Sequence, residues 1–174
     1  MAADSIPIRP LTIADAVAYR RLRLAALIDS PEAFSSSPQD EEHLSDAEIA
    51  ARAAPAPPGI VFGAFMGGEL SGMAVYLPDT RLKTRHKGTM VGVYVAPALR
   101  GTGTGRRLVE HVVRHAATQG VILQCVVAVG NEAARRLYRS LGFQPYGLER
   151  DAVFVNGRYF DDELLALDLR HGQS

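Results

Sequence analysis

Between an apolar run closing in Val93-Tyr-Val-Ala-Pro97 and an amphipathic run opening near Gly103, the chain turns through Arg100-Gly-Thr-Gly-Thr-Gly105. Glycines at alternate positions let the backbone take positive φ and approach a ligand closely. The N–H groups at the start of the following helix have no carbonyl partners, and the macrodipole adds positive potential there. A strand, a glycine turn and a helix start together make an anion seat of phosphate size. Arg100, Arg106 and Arg107 crowd the same end, where cations are disfavoured by roughly 0.3–1 kcal/mol each. A bound polyanion reverses that penalty. No Gly-Lys-Ser/Thr follows the first glycine, which excludes a Walker loop. A dinucleotide fingerprint fails at Arg106, and the acidic ribose ligand it needs is missing from Val121–Val127.

Around this turn the chain reads as one domain over residues 1–174. An extended segment Ile6–Arg9 precedes Thr12 and Asp15, whose spacing predicts a helix start, with the helix running to about Ile28. Its buried face is Ala16, Tyr19, Leu22 and Ala26, to which Val17, Leu24 and Leu27 can add. A two-proline loop, Asp29–Pro38, leads to a second helix at about Gln39–Arg52. Strands follow at Ile60–Met66 and Leu70–Leu77 across Gly67-Gly68-Glu69, then at Thr89–Val95. Gly103–Gln119 is helical, with Leu108, Val109, Val112, Val113 and Ala116 buried. Val121–Val129 is a buried strand, and a short helix spans about Asn131–Leu141. Two last strands, Phe143–Val155 and Tyr159–Leu169, meet at Asn156-Gly157, a strong hairpin signal. The result is an α/β domain: six to seven strands in a mixed, mostly antiparallel sheet, with about four helices.

Charge narrows the function. Nineteen basic residues balance nineteen acidic ones, which argues against broad attraction to nucleic acid or an anionic membrane. No apolar run reaches membrane-spanning length, and Met1–Pro7 has neither the basic start nor the apolar stretch of a leader, so a cytoplasmic location is expected. The oligomeric state is left open between monomer and homodimer. The lone Cys125 sits in an apolar run and reads as a buried thiol. His111 and His115 have ligand spacing, but they fall on the polar face beside Arg107 and Arg114 without a third ligand, so no metal is expected. His86 belongs to a solvated basic loop, Arg81–Lys87.

Arg100-Gly-Thr-Gly-Thr-Gly105, preceded by Val95-Ala-Pro97, resembles the Arg/Gln-x-x-Gly-x-Gly/Ala loop of the GNAT N-acetyltransferase superfamily. Asn131-Glu-Ala-Ala-Arg-Arg-Leu-Tyr-Arg-Ser-Leu-Gly-Phe143 is similar to its second signature, Asn-x-x-Ala-x-x-x-Tyr-x-x-x-Gly-Phe. The two stand in the family's order over about Thr89–Leu169. The resemblance implies a GNAT-like fold and an enzyme using acetyl-CoA as co-substrate. That enzyme would acetylate a primary amine, on a small molecule or a peptide N-terminus, by direct attack in a ternary complex. A non-catalytic acyl-CoA-binding sensor is the alternative.

By the same resemblance, Arg100, Gly101, Thr102, Gly103, Thr104, Gly105 and Arg106 would cradle the coenzyme A pyrophosphate. The backbones of Val93 and Val95 would bond the acetyl carbonyl and the pantetheine arm. Asn131 would touch that arm, or simply cap its helix. Tyr138 would be the acid toward the departing thiolate, although its spacing with Ala134 and Leu141 also suits a core aromatic. Many relatives carry a glutamate on the strand before the loop, but Thr89–Val95 has no carboxylate. A water relay to Glu41, Glu42, Glu69 or a backbone carbonyl is one remedy. Without a base, freeing a lysine-like amine of pKa about 10.4 at pH 7 costs roughly 4.5 kcal/mol, against about 1 kcal/mol for an α-amine. An acceptor of modest pKa is therefore expected. Its site would lie among the first two helices, the Ser30–Pro38 loop and the final hairpin, with Asp161-Asp-Glu163 either drawing a cation or merely solvated. Phe34 and Tyr159 could line an apolar wall of that site, but read first as core packing.

Overall fold

The computed structural model describes residues 6–171; the leader-free reading of Met1–Ser5 falls outside them. The strands are β1 (Ile8–Pro10), β2 (Ile60–Met66), β3 (Glu69–Pro78), β4 (Lys87–Val95), β5 (Ile122–Ala128), β6 (Gln144–Val155) and β7 (Arg158–Asp168). They form one sheet in the order β1-β2-β3-β4-β5-β7-β6. Every neighbour pair is antiparallel except β4 with β5. Parallel neighbours need a long crossover, and the helix α4 (Thr104–Gln119) supplies it.

Short-range chemistry fixes the turns. Gly67 and Gly68 take φ +57° and +83°, and Asn156 and Gly157 take +49° and +77°. These left-handed pairs match the twist of a hairpin. Gly120 ends α4 at φ +60°. Along α4 the apolar period buries Leu108, Val109, Val112 and Ala116 completely against one sheet face. The same face receives α5 (Glu132–Ser140) through Tyr138. The other face is covered by α1 (Ala16–Asp29) and α3 (Asp46–Ala53), through Tyr19, Leu22, Leu27 and Ile49. No helix among the described residues is long and apolar enough to cross a membrane.

Four details differ from the sequence reading. The second helix is two pieces, α2 (Pro38–Glu41) and α3. Ser45 restarts it: its hydroxyl accepts from the N–H of Glu48 at 3.3 Å, while the Glu48 carboxylate accepts from the Ser45 N–H at 2.8 Å. Such a reciprocal cap favours a new helix start over a continuous helix. Replacing Ser45 with Ala is expected to cost about 1 kcal/mol, seen as a fall of roughly 2–4 °C in the unfolding midpoint. Val17 lies on the outer side of α1 and is 74% exposed. Tyr159 is exposed too, stacked on Phe154 with ring centroids 4.7 Å apart, so it is not a core residue. His111 and His115 leave the polar face: both rings pack on Phe62, and a His115 nitrogen lies 2.7 Å from the Pro58 carbonyl oxygen.

Candidate active site

β4 and β5 run together for only three register pairs, Lys87–Ile122, Gly88–Leu123 and Thr89–Gln124. Beyond Thr89 they part. A bulge contributes: β3 pairs Val75 with Val91 and then Met73 with Tyr94, so β4 carries an extra residue there. Gly92 takes φ +60° at this point, a left-handed conformation that favours glycine. The edge of β4 from Val91 to Val95 therefore lacks a strand partner on the β5 side.

A cleft of about 720 Å³ occupies the opening. Its walls include Val93 and Val95 of β4, the glycine turn, and Asn131, Ala134 and Tyr138 of α5. Gly101 and Gly103 take φ +76° and +83°, and a Cβ at either would meet nothing within 4 Å. Packing does not call for glycine there; the left-handed backbone and the open space do. The first-turn N–H groups of α4, those of Gly105 and Arg106 included, have no carbonyl one turn earlier. The loop is braced from within. Thr102 Oγ1 donates to the Leu99 carbonyl at 2.6 Å and lies 2.8 Å from Thr104 Oγ1. Neither threonine is among the residues that line the cleft, and Thr104 is buried.

The arginines divide. Arg100 lines the cleft, but its guanidinium is paired with Asp29 and donates to the Val95 carbonyl at 3.2 Å. Tyr94 also donates to Asp29, at 3.1 Å. The Arg100 hydrogen bond, joined by that of Tyr94, holds the Asp29 carboxyl below its ordinary range. Arg106 lines the cleft while bonding Glu110 at 2.9 Å and Ser140 at 3.0 Å. Arg107 does not join them: it points away and donates to the Ile6 carbonyl at 2.8 Å. The three cations are not crowded at one seat, because each has a protein partner.

Asn131 caps α5, its side-chain oxygen accepting from the Ala134 N–H at 3.1 Å, and also lines the cleft. Tyr138 is 6% exposed, packs on Phe143, and makes no side-chain hydrogen bond among the described residues. Burial, reinforced by nearby Cys125, raises its phenol well above the ordinary value, so it is protonated at neutral pH. Cys125 lies beside it in the splay, and burial pushes that thiol up to about 12.

A second cavity of about 620 Å³ lies on the α1–α3 side of the sheet. Phe34 and Ala128 line both cavities, forming the throat between them. Tyr19 and Arg23 come from α1, Phe34 from the loop, Arg52 from α3, and Glu149 and Asp162 from the last hairpin. The carboxylates considered as bases on sequence are elsewhere. Glu41 is buried behind Arg23 and Arg52, accepting from Arg23 at 2.7 Å. Glu69 faces Arg21 at the β2–β3 turn, and Glu42 lies beside His43. Glu149 and Asp162, by contrast, stand opposite one another across β6 and β7, and Ala128 is the partner of Asp162 across β5. Strand alternation separates them from Glu163, which turns to the other face and accepts from Arg135 and Arg139 at 3.0 and 2.6 Å. Asp162 belongs to the acidic run read on sequence as a cation attractor or a solvated strand start, and only Asp162 of that run lines this cavity. Arg23, Gly92 and Glu149 were not singled out. An isolated glycine inside a strand pattern was the one signal that could have found Gly92.

Residues 21–143 match the model of the Acetyltransferase (GNAT) family. The N-alpha-acetyltransferase RimI of Mycobacterium tuberculosis is 43% identical over 63 residues, covering 36% of this chain and 39% of the relative. The L-methionine sulfoximine/L-methionine sulfone acetyltransferase of Pseudomonas aeruginosa is 33% identical over 104 residues, covering 59% of this chain and 60% of the relative. The chain thus matches less than two thirds of the length of these curated relatives. A phosphinothricin acetyltransferase from Sinorhizobium meliloti, solved with acetyl-CoA, superimposes with a TM-score of 0.83 at 22% identity, covering 97% of this chain and 91% of that one.

Proposed function

The chain belongs to the GNAT acetyltransferase family, and we propose that it moves an acetyl group from acetyl-CoA to a primary amine, favouring an α-amine. One observation carries this reading: a splayed strand pair opens a cleft that meets a second cavity at a throat, so donor and acceptor can approach from opposite sides. The unpaired backbone edge of β4 beside Val93 suits the amide groups of a pantetheine arm, and Val95, whose carbonyl accepts from Arg100, would share that bond or release it. The glycine turn suits the diphosphate. A β4 N–H facing the acetyl oxygen would stabilise the charge that develops during acyl transfer.

Tyr138 supplies the proton for the leaving sulfur. A raised phenol pKa is no handicap, because the same burial raises thiols. Neighbouring Cys125 illustrates the direction: burial pushes its thiol up to about 12. The Mycobacterium tuberculosis relative is named for N-alpha-acetylation, which agrees with the preference for an acceptor of modest pKa.

Thermal unfolding with separate excesses of acetyl-CoA, NAD and ATP tests the donor assignment. At a hundred times its dissociation constant acetyl-CoA adds about 2.7 kcal/mol, a rise of roughly 5–10 °C. No shift, or a larger one with NAD, would remove the basis of the reading. Thiol release on adding an α-amine separates the enzyme from an acyl-CoA sensor.

A further inference from the structure

The acceptor cavity is electrically divided. At one end Arg23 and Arg52 share a single carboxylate, that of Glu41. Arg23 spends Nε and Nη2 on Glu41. Its Nη1 makes no hydrogen bond among the described residues, and lies 3.7 Å from where a Cβ on Gly92 would stand, at the bulge. Arg52 is 45% exposed and touches Glu41 through one nitrogen, at 3.3 Å. Glu48, one turn before Arg52 on α3, adds an exposed carboxylate near that guanidinium, and Arg23 Nη1 is the donor left over along the cavity wall. At the other end Glu149 and Asp162 face each other, and neither has a basic partner or a hydrogen bond among the described residues. Arg150, the nearest base in sequence, turns to Asp161 instead, at 3.9 Å. Between the ends the walls are apolar: Phe34, Val75, Val91, Val126 and Val153.

Guanidinium groups and carboxylates line separate parts of the same cavity, with Glu149 exposed and Arg52 45% exposed, and a ligand that carries both charges would match both. A simple alkylamine would satisfy only the carboxylates, and a neutral N-acyl compound neither end. We propose that the acceptor is a small zwitterion, an amine that also bears a carboxylate or similar anion. Its ammonium sits on Asp162 and Glu149, its anion on Arg23 and Arg52, and Asp162 is the proton acceptor absent from β4. This rests on the acetyl-transfer reading and names the acceptor class for the same site.

Position favours Asp162 over Glu149 as the base. It pairs across the sheet with Ala128, which lines the throat where nitrogen and acetyl carbon must meet. Burial, then the charges of Glu149 and Asp161, raise its carboxyl above the usual range, the direction that suits a base. In the step, one ammonium proton passes to Asp162. The freed nitrogen pair forms the C–N bond as the C–S bond breaks. The sulfur leaves with that electron pair and takes the Tyr138 proton. A second nitrogen proton, relayed by water, restores the phenol, and Asp162 discharges its own to solvent. Guanidinium groups meanwhile hold the anion, in the forked geometry that suits a carboxylate.

The test sets each common amino acid against its own carboxamide, with thiol release as the readout. Amidation lowers the basicity of the amine, so intrinsic chemistry favours the amide. At least one amino acid is expected to exceed its amide tenfold or more in kcat/KM. In Arg52→Gln that ratio should fall toward one. Asp162→Asn should lower kcat/KM about a hundredfold or more, with the acetyl-CoA thermal shift unchanged as proof of folding, and Asp162→Glu should restore part of it. Carboxamides reacting as well as every amino acid, or an active Asp162→Asn, overturns the assignment while acetyl transfer stands. Absence of thiol release with all amino acids, the acetyl-CoA shift intact, overturns it too. Loss of that shift in the unaltered protein instead defeats the donor reading.

Discussion

Replacing Tyr138 with phenylalanine is expected to lower kcat by about 10²–10⁴-fold, the range for a positioned proton donor. The acetyl-CoA thermal shift should hardly change. The swap removes one oxygen and keeps the ring, so the contact with Phe143 survives. Among the described residues, the Tyr138 hydroxyl is not one of the buried polar atoms left without a partner, so its removal strands nothing and stability should hold. Single-turnover measurement with preformed acetyl-CoA complex isolates the chemical step. A variant with near-normal single-turnover rate would mean that Tyr138 is a packing residue that merely faces the cleft, and that the thiolate departs unaided.

The second large effect is on stability. Glu41 is 3% exposed, and its partner Arg23 retains 14% of its side-chain surface. Burial works against the charged form of Glu41, but the Arg23 hydrogen bonds and the Arg23 and Arg52 charges prevail and lower its pKa. Glu41→Gln strands a guanidinium. Breaking such a pair from one side costs about 3–5 kcal/mol, which at this chain length means a fall of roughly 6–20 °C. The sign of the pH dependence follows from the direction of the shift. A carboxyl with a depressed folded pKa contributes fully above its unfolded value of about 4.3, and loses that contribution as pH falls through the folded value. The gap between wild type and Glu41→Gln should therefore be wide at pH 7 and shrink as the solution is acidified below about 4. A constant gap would assign the loss to packing.

Sequence made much of this legible, and the reasons are local. The glycine turn announces itself because the backbone there needs φ values open to few residues but glycine. Helix α4 is plain because sixteen residues sustain one apolar period ended by Gly120. The second helix was drawn too long because Gln39–Arg52 has no breaker, and only the Ser45–Glu48 cap shows where it restarts. The acceptor end was hardest to see. Arg23 and Glu41 lie eighteen residues apart and meet only through tertiary packing. Asp161, Asp162 and Glu163 are adjacent in sequence yet serve three surroundings, and the face each takes depends on a register set by β5. His111 and His115 look polar on a helical projection, but the rings of Phe62 and Tyr76 give them an apolar bed.

The three-pair seam between β4 and β5 has a mechanical meaning. It divides the sheet into two plates, β1 to β4 on one side and β5, β7 and β6 on the other, each fully laddered within itself. The plates are joined along one short edge and bridged on one face by α4. Such a body behaves like a book held by the lower end of its spine. The gap by the throat lies beyond the spine residues, Lys87 to Thr89 and Ile122 to Gln124, so its two walls belong to different plates.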